Sequence, residues 1–297
     1  MLDEPEWRAR RAAHERRVDA WTRPHLTRRE RGEAHPVEDF LFTYYSNRPA
    51  ALRRWHPGIG VALTGAGVRE FAAVRGYVVE ADRAWLDPLT TRGLVARATW
   101  IRELLTATAT RRPLLGCFGL HEWAMVYRQG RDELRHSSYP LRLGHAGTNA
   151  VVEQHRITCT HFDAFRFFTT DARPRNTVQP TRETQPSTDQ PGCLHATMDL
   201  YKWAYQLSPC TPSELVADCF ELARDVRQVD MAASPYDLAS LGVEPIRIET
   251  AEGKSDYVSR QRDFARRGEP LRHRLVEVCN AVLESRPAET PAQSVST

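Results

Sequence analysis

The sequence predicts an α+β protein, helix-rich, with a small central and mostly antiparallel sheet and a helical C-terminal third. Three observations point there. Apolar residues recur at helical spacing through Leu94, Val95, Ala98, Ile101 and Leu105, and again in stretches between residues 194 and 284. Residues 59 to 80 instead mix Gly with Val, Leu, Phe and Tyr in short runs that read as two or three strands. Composition is that of a globular chain, with 41% hydrophobic and 27% charged residues in 297, enough for a sizeable core.

In chain order, residues 5 to 32 are basic and helix-prone, with Pro24 interrupting near the end. This gives a basic N-terminal helical arm over 1–32, either a solvated surface helix or a phosphate-facing one. His35-Pro36 starts a further helix, with Glu38 and Asp39 where the helix dipole favours acids and Phe40, Leu41, Tyr44 and Tyr45 as its buried stripe. After the strand region, a helix runs from about Thr90 to Thr108. Tyr139 to Leu143 and Val151 to Thr160 alternate like strands around the turn-rich Gly144-His145-Ala146-Gly147-Thr148-Asn149, predicting a hairpin. Residues 171 to 192 lack a hydrophobic period and read as a long loop of the kind that binds or covers a site. Helices follow over 194 to 206, from Pro212-Ser213-Glu214 to about Val229, and as two segments within 252 to 284. Residues 33–285 thus form one large catalytic domain, and 286–297, rich in Ser, Thr, Pro and Ala, a disordered tail.

No apolar run approaches the roughly 18 residues of a membrane span, and Met1-Leu2-Asp3-Glu4 opens without a signal-peptide pattern, so a cytoplasmic protein with no membrane partner is expected. The six cysteines form no Cys-x-x-Cys pair and read as free thiols. Net charge is only +3, yet Lys202 and Lys254 are the only lysines; coding bias explains the arginine surplus most simply, and anion recognition is the alternative.

The chemistry concentrates around Thr160-His161-Phe162-Asp163 and Cys193-Leu194-His195. On an extended segment His161 and Asp163 leave the same face, and on a helix His195 and Asp199 do so. Two imidazoles and two carboxylates suit a divalent metal, iron or zinc, held by His161, Asp163, His195 and Asp199, or an acid/base site using Asp163, His161, Asp199 and Glu122. His121 and Arg166 are candidate substrate contacts, and Phe165, Tyr201 and Trp203 candidate walls of a flat pocket for a planar ring. Non-haem iron oxygenase chemistry would need a jelly roll, which the helical C-terminal third does not supply. Cys193, at a turn entering a helix, is a candidate nucleophile if the helix N-terminus lowers its pKa.

His35-Pro36-Val37-Glu38-Asp39-Phe40-Leu41-Phe42, Arg54-Trp55-His56-Pro57-Gly58, Gly119-Leu120-His121-Glu122-Trp123, residues 160 to 168 and Gly192-Cys193-Leu194-His195-Ala196 together resemble a group of actinobacterial proteins labelled 3-methyladenine DNA glycosylase, over roughly residues 7 to 280. The resemblance implies a DNA repair hydrolase that excises alkylated purines, with DNA or a nucleobase-like small molecule as partner. Pro57-Gly58-Ile59-Gly60 with Asp82 loosely matches the helix-hairpin-helix turn and catalytic Asp of such enzymes, while Asp163 or Asp199 among aromatics is an equal candidate for supporting an oxocarbenium-like transition state. A metal-dependent hydrolase or oxygenase acting on a small planar substrate is the alternative.

Overall fold

The computed structural model of the protein describes residues 1–130, 133–134 and 138–285. The predicted tail, 286–297, lies outside the described residues. Helix α1 (Glu4–Glu30) begins where the Asp3 side chain accepts from the Glu6 amide at 2.9 Å. Its stripe of Trp7, His14, Val18, Thr22 and His25 is buried, so α1 packs into the body. Several of its arginines are paired within the chain, among them Arg10 with Glu214, Arg17 with Asp218 and Glu221, and Arg28 with Asp39. Pro24 does not break α1. Pro24 and Ala20, whose carbonyl loses its donor, are both exposed, so the missing bond falls on the solvent side while buried contacts hold both halves.

Short helices α2 (Phe40–Tyr44) and α3 (Pro49–Arg53) lead to strand β1 (Leu63–Thr64), a 3-10 turn over Ala66–Ala73, β2 (Tyr77–Glu80) and β3 (Arg83–Leu86). The strands form an antiparallel sheet of order β1-β3-β2, with Ala84 opposite both Leu63 and Val79. Its inward residues Leu63 and Ala84 join Trp7, Trp55, Val68 and Phe71 in an apolar cluster separate from the main core. Pro57 to Gly60 therefore lead into a strand and not into the second helix of a hairpin, and Asp82 is exposed on the β2–β3 turn.

The main core lies among helices. After α4 (Pro88–Arg92) come α5 (Val95–Ala109), α6 (Leu120–Ala124), α7 (Gly144–Gln154), α8 (Phe162–Phe165) and α9 (Gln185–Thr188), then α10 (Leu194–Gln206), α11 (Ser213–Ala232) and α12 (Ala251–Glu284). Helix α10 packs on α11, and α12 on α5, α10 and α11. The expected hairpin around residues 144 to 149 is instead α7: Thr148, Val151 and Val152 make a buried helical stripe, and the Thr148 hydroxyl donates to the Gly144 carbonyl at 2.7 Å. Small polar residues, taken as turn formers, here fill the first turns of a helix.

The two expected segments within 252 to 284 are the single helix α12. Its buried positions, Tyr257, Gln261, Phe264, Gly268, Arg272, Leu275, Cys279 and Val282, keep steps of three and four straight through Pro270. Pro270 and Arg266, whose carbonyl it leaves unbonded, are exposed. Among the described residues no helix is long and apolar enough to cross a membrane.

Candidate functional site

Helices α6, α8, α10 and α11 bring a set of charged side chains into the middle of the molecule, almost all of them buried. His161 is the N-cap residue of α8 and Asp163 lies in its first turn, so the two meet across a loop-to-helix junction and not along an extended strand. His161 Nδ1 lies 3.0 Å from Asp189 Oδ1, and its Nε2 lies 3.6 Å from Asp199 Oδ2. The Lys202 ammonium donates to Asp163 at 2.8 Å and to Asp199 at 3.2 Å, one turn along α10. Arg182 and Arg166 reach the other Asp163 oxygen at 2.8 and 3.2 Å, and the Tyr45 hydroxyl donates to Asp199 at 2.7 Å. Burial works against ionisation of Asp163, but Lys202, His161 and Arg182 outweigh it and lower its pKa to about 2.

The sequence placed His161, Asp163, His195 and Asp199 in one cluster. Donor atoms of His161, Asp163 and Asp199 do lie within 4.8 Å of one another, whereas His195 belongs to a second group with His121 and Asp230. Four residues apart on α10, His195 and Asp199 serve adjacent groups. The groups touch where the His161 and His195 rings stack, centroids 5.6 Å apart. In the second group His121 Nε2 lies 2.8 Å from Asp230 Oδ1, and Arg227 donates to Asp230 at 3.0 Å and to Glu122 at 3.2 Å. The His121 and His195 rings meet edge to face at 4.4 Å.

These contacts sort the three imidazoles. Burial disfavours the charged form of each, but Asp230 raises the pKa of His121 well above its ordinary value, and Asp189 with Asp199 raises that of His161. His195 has no such partner: burial, then the neighbouring His121, push its pKa well down. Neither of its ring nitrogens has a hydrogen-bond partner among the described residues. A neutral imidazole with unengaged nitrogens thus stands between two carboxylate-held ones.

His195 also borders two small cavities of about 10 Å³ each, room for roughly one water apiece. One is a crevice with Glu122, Asp163 and Arg227 at its floor and Phe40, Tyr44 and Phe167 around it. The other is lined by Cys117, Cys159, Cys193 and His121, with Tyr257 and Gln261 opposite. Gly119, left-handed at φ +70°, lets α6 begin against Ala233 and Tyr257 and so places His121 and Glu122.

Phe165 is buried against Phe168, Tyr201 against Tyr45 and Phe220, and Trp203 against Trp100; they build core under the site and do not border the His195 crevice. Arg166 spreads over Phe167 as it pairs with Asp163. Cys193 does precede α10, but burial and the neighbouring Cys159 and Asp189 push its thiol pKa well up, the opposite of the expected activation. No family model, curated protein or solved structure matches the chain.

Sequence reasoning missed Asp189, Lys202, Arg227 and Asp230. For the last two a signal existed: Arg227 and Asp230 continue the apolar stripe of α11 through Val216, Cys219, Phe220 and Ala223, and charges inside such a stripe must be paired. Asp189 sits in an aperiodic loop that gave no sign of its partner 28 residues away.

Proposed function

We propose that this chain is a hydrolase whose reaction centre is the crevice floor at His195, and that its substrate carries a nucleobase on an N-glycosidic bond. The observation that carries the reading is His195 itself, a neutral imidazole with unengaged nitrogens beside a space for one water. Such a group accepts a proton from water as the water attacks. Burial, reinforced by repulsion from His121 and His161, keeps His195 neutral, so the base form persists below pH 6.5. Asp163 stays ionised, but three cations already offset its charge; its role is to fix Lys202 and the start of α8. The Arg227 guanidinium, 3.8 Å over the Phe40 ring and balanced by Glu122 and Asp230, borders the crevice as a hydrogen-bond donor for a departing base.

The substrate class rests on the sequence resemblance; Phe40 and Tyr44, stacked on each other with centroids 4.9 Å apart, make one wall of the crevice aromatic. The test is release of free base from alkylated duplex DNA and from purine nucleosides by purified protein. Release should fall roughly 10²- to 10⁴-fold in His195→Gln with the unfolding midpoint unchanged. No release from either substrate by the wild-type protein refutes the reading.

A second reading, a metal-dependent hydrolase, is favoured by the two carboxylate–histidine pairs, His121–Asp230 and His161–Asp189, an arrangement that orients histidine ligands. In each group a cation already sits on a carboxylate, Arg227 on Asp230 and Lys202 on Asp163 and Asp199; the group of His121, His195 and Asp230 is the better ligand set because it offers two imidazoles against one. Elemental analysis separates the readings: stoichiometric zinc or iron, lost in His195→Ala, supports the metal.

A further inference from the structure

On the far side of the loop that carries Asp189, a cavity of about 530 Å³ opens between the end of α5, Pro113 to Leu115, Pro191 and the middle of α12. Its charged lining is Arg111, Arg262, Arg266, Arg272 and Glu269. Arg272 is only 1% exposed, and both its Nε and one terminal nitrogen are buried without any hydrogen-bond partner. Among the described residues the other fully buried arginine has an acid: Arg227, 2% exposed, holds Glu122 and Asp230. A guanidinium cannot shed its charge in a protein, and burying it unpaired is expensive. Burial even draws the Arg272 pKa down, with Glu269 and Asp189 opposing only at a distance.

From this orphaned guanidinium at the base of a cationic cavity, we infer that the cavity is a binding site for the phosphate group of a small phosphorylated molecule. Arg272 borders the cavity and receives the phosphate once its guanidinium, whose Nε and one terminal nitrogen are closed off from solvent here, turns its fork of N–H donors towards two oxygens. Arg262, exposed at the rim, adds a second cation. Arg266 is paired with Asp263, and Glu269 offsets one further charge, so the lining retains the two positive charges that a phosphate monoester dianion meets. The volume exceeds what bare phosphate needs and falls in the range of small-molecule sites. Pro113, Leu115, Pro191 and Ala265 give the organic part an apolar wall.

Arg111 donates to the carbonyls of Asp189 and Pro186, both at 2.7 Å. The loop that walls this cavity therefore also presents the carboxylate that holds His161. The site stands on observations separate from those at His195.

The experiment is calorimetry and thermal unfolding of the full chain with inorganic phosphate, phenyl phosphate and acetate at matched ionic strength. Phosphate and phenyl phosphate should raise the midpoint, phenyl phosphate binding more tightly, and acetate should do less. Arg272→Met should abolish the shift, while the ligand-free variant unfolds at or above the wild-type midpoint because a methionine there leaves no unpaired charge. If that variant does not fold, Arg262→Ala, at an exposed position, should weaken phenyl phosphate roughly 10-fold. No midpoint shift in the wild type, or an undiminished shift in Arg272→Met, overturns the inference. Single-stranded DNA that displaces phenyl phosphate, with affinity rising with strand length, overturns the small-molecule assignment in favour of a nucleic-acid backbone contact.

Discussion

Lys202→Met removes the ammonium that Asp163 and Asp199 share and leaves a side chain of similar length in its place. Both carboxylates are nearly fully buried, at 4% and 2% exposure, so the lost contact is not replaced by solvent. Breaking a buried ion pair from one side costs about 3–5 kcal/mol; the Arg182 and Arg166 bonds to Asp163 and the Tyr45 bond to Asp199 remain, which places the expectation at the low end, about 3 kcal/mol. The pH dependence gives a sharper signature. Asp163 has a folded pKa of about 2 against an ordinary value of 3.8, and a depressed carboxylate stabilises the fold above its unfolded pKa. That contribution, about 2 kcal/mol, is present above pH 3.8 and lost as the pH falls through 2. Without Lys202, the largest favourable partner of Asp163, the loss between pH 4 and 2 should shrink. Urea unfolding of wild type and variant from pH 7 to pH 2 measures both quantities. A variant that loses less than about 1 kcal/mol at pH 7 and keeps the wild-type acid slope would refute the central role given to Lys202.

Two further outcomes follow from the same geometry. Asp230→Asn should drop the His121 pKa from well above 6.5 to below it, read by NMR titration of the ring nitrogens; in the wild type the His121 contribution to stability is present below pH 6.5 and disappears as pH rises through the folded pKa, and the variant should lack that dependence. Pro270→Ala should restore the amide donor to the Arg266 carbonyl on the exposed side of α12 and raise stability by about 1–3 kcal/mol in urea unfolding; a loss would mean that α12 is bent there to fit α5 and α10.

The helices of the C-terminal third were legible because their apolar residues keep a helical period, which local spacing reveals. Helix α7 was not, since Gly144 to Asn149 carry turn-forming side chains and only Thr148, Val151 and Val152, meeting α6 and the core, decide in favour of helix. At the site, His161, Asp163, His195 and Asp199 stood out by type and spacing, and the contacts within reach of one helix turn, such as Asp199 with Lys202, were readable in principle. What decides their charge states was not: Asp189 meets His161 across 28 residues and Asp230 meets His121 across 109. The first joins the end of α9 to the start of α8 and the second joins α6 to α11, and no local pattern encodes either. The unpartnered Arg272 was equally hidden, because a sequence cannot say which of many arginines lacks an acid.

The pairing of the α1 arginines with acids on α11 bears on how the protein meets polyanions. Its sequence pI of about 8.6 suggests a cationic surface. Yet Arg10 and Arg17 already lie against Glu214, Asp218 and Glu221. Moving such a guanidinium onto a DNA phosphate strands a carboxylate, which gathers back a cation from solution as the phosphate releases one. The net counterion release per contact is then small, and so is the entropy gain that drives basic proteins onto nucleic acids. Arg10 and Arg17 are spent on holding α1 to α11, and the chain's count of basic residues overstates the charge it presents to a partner.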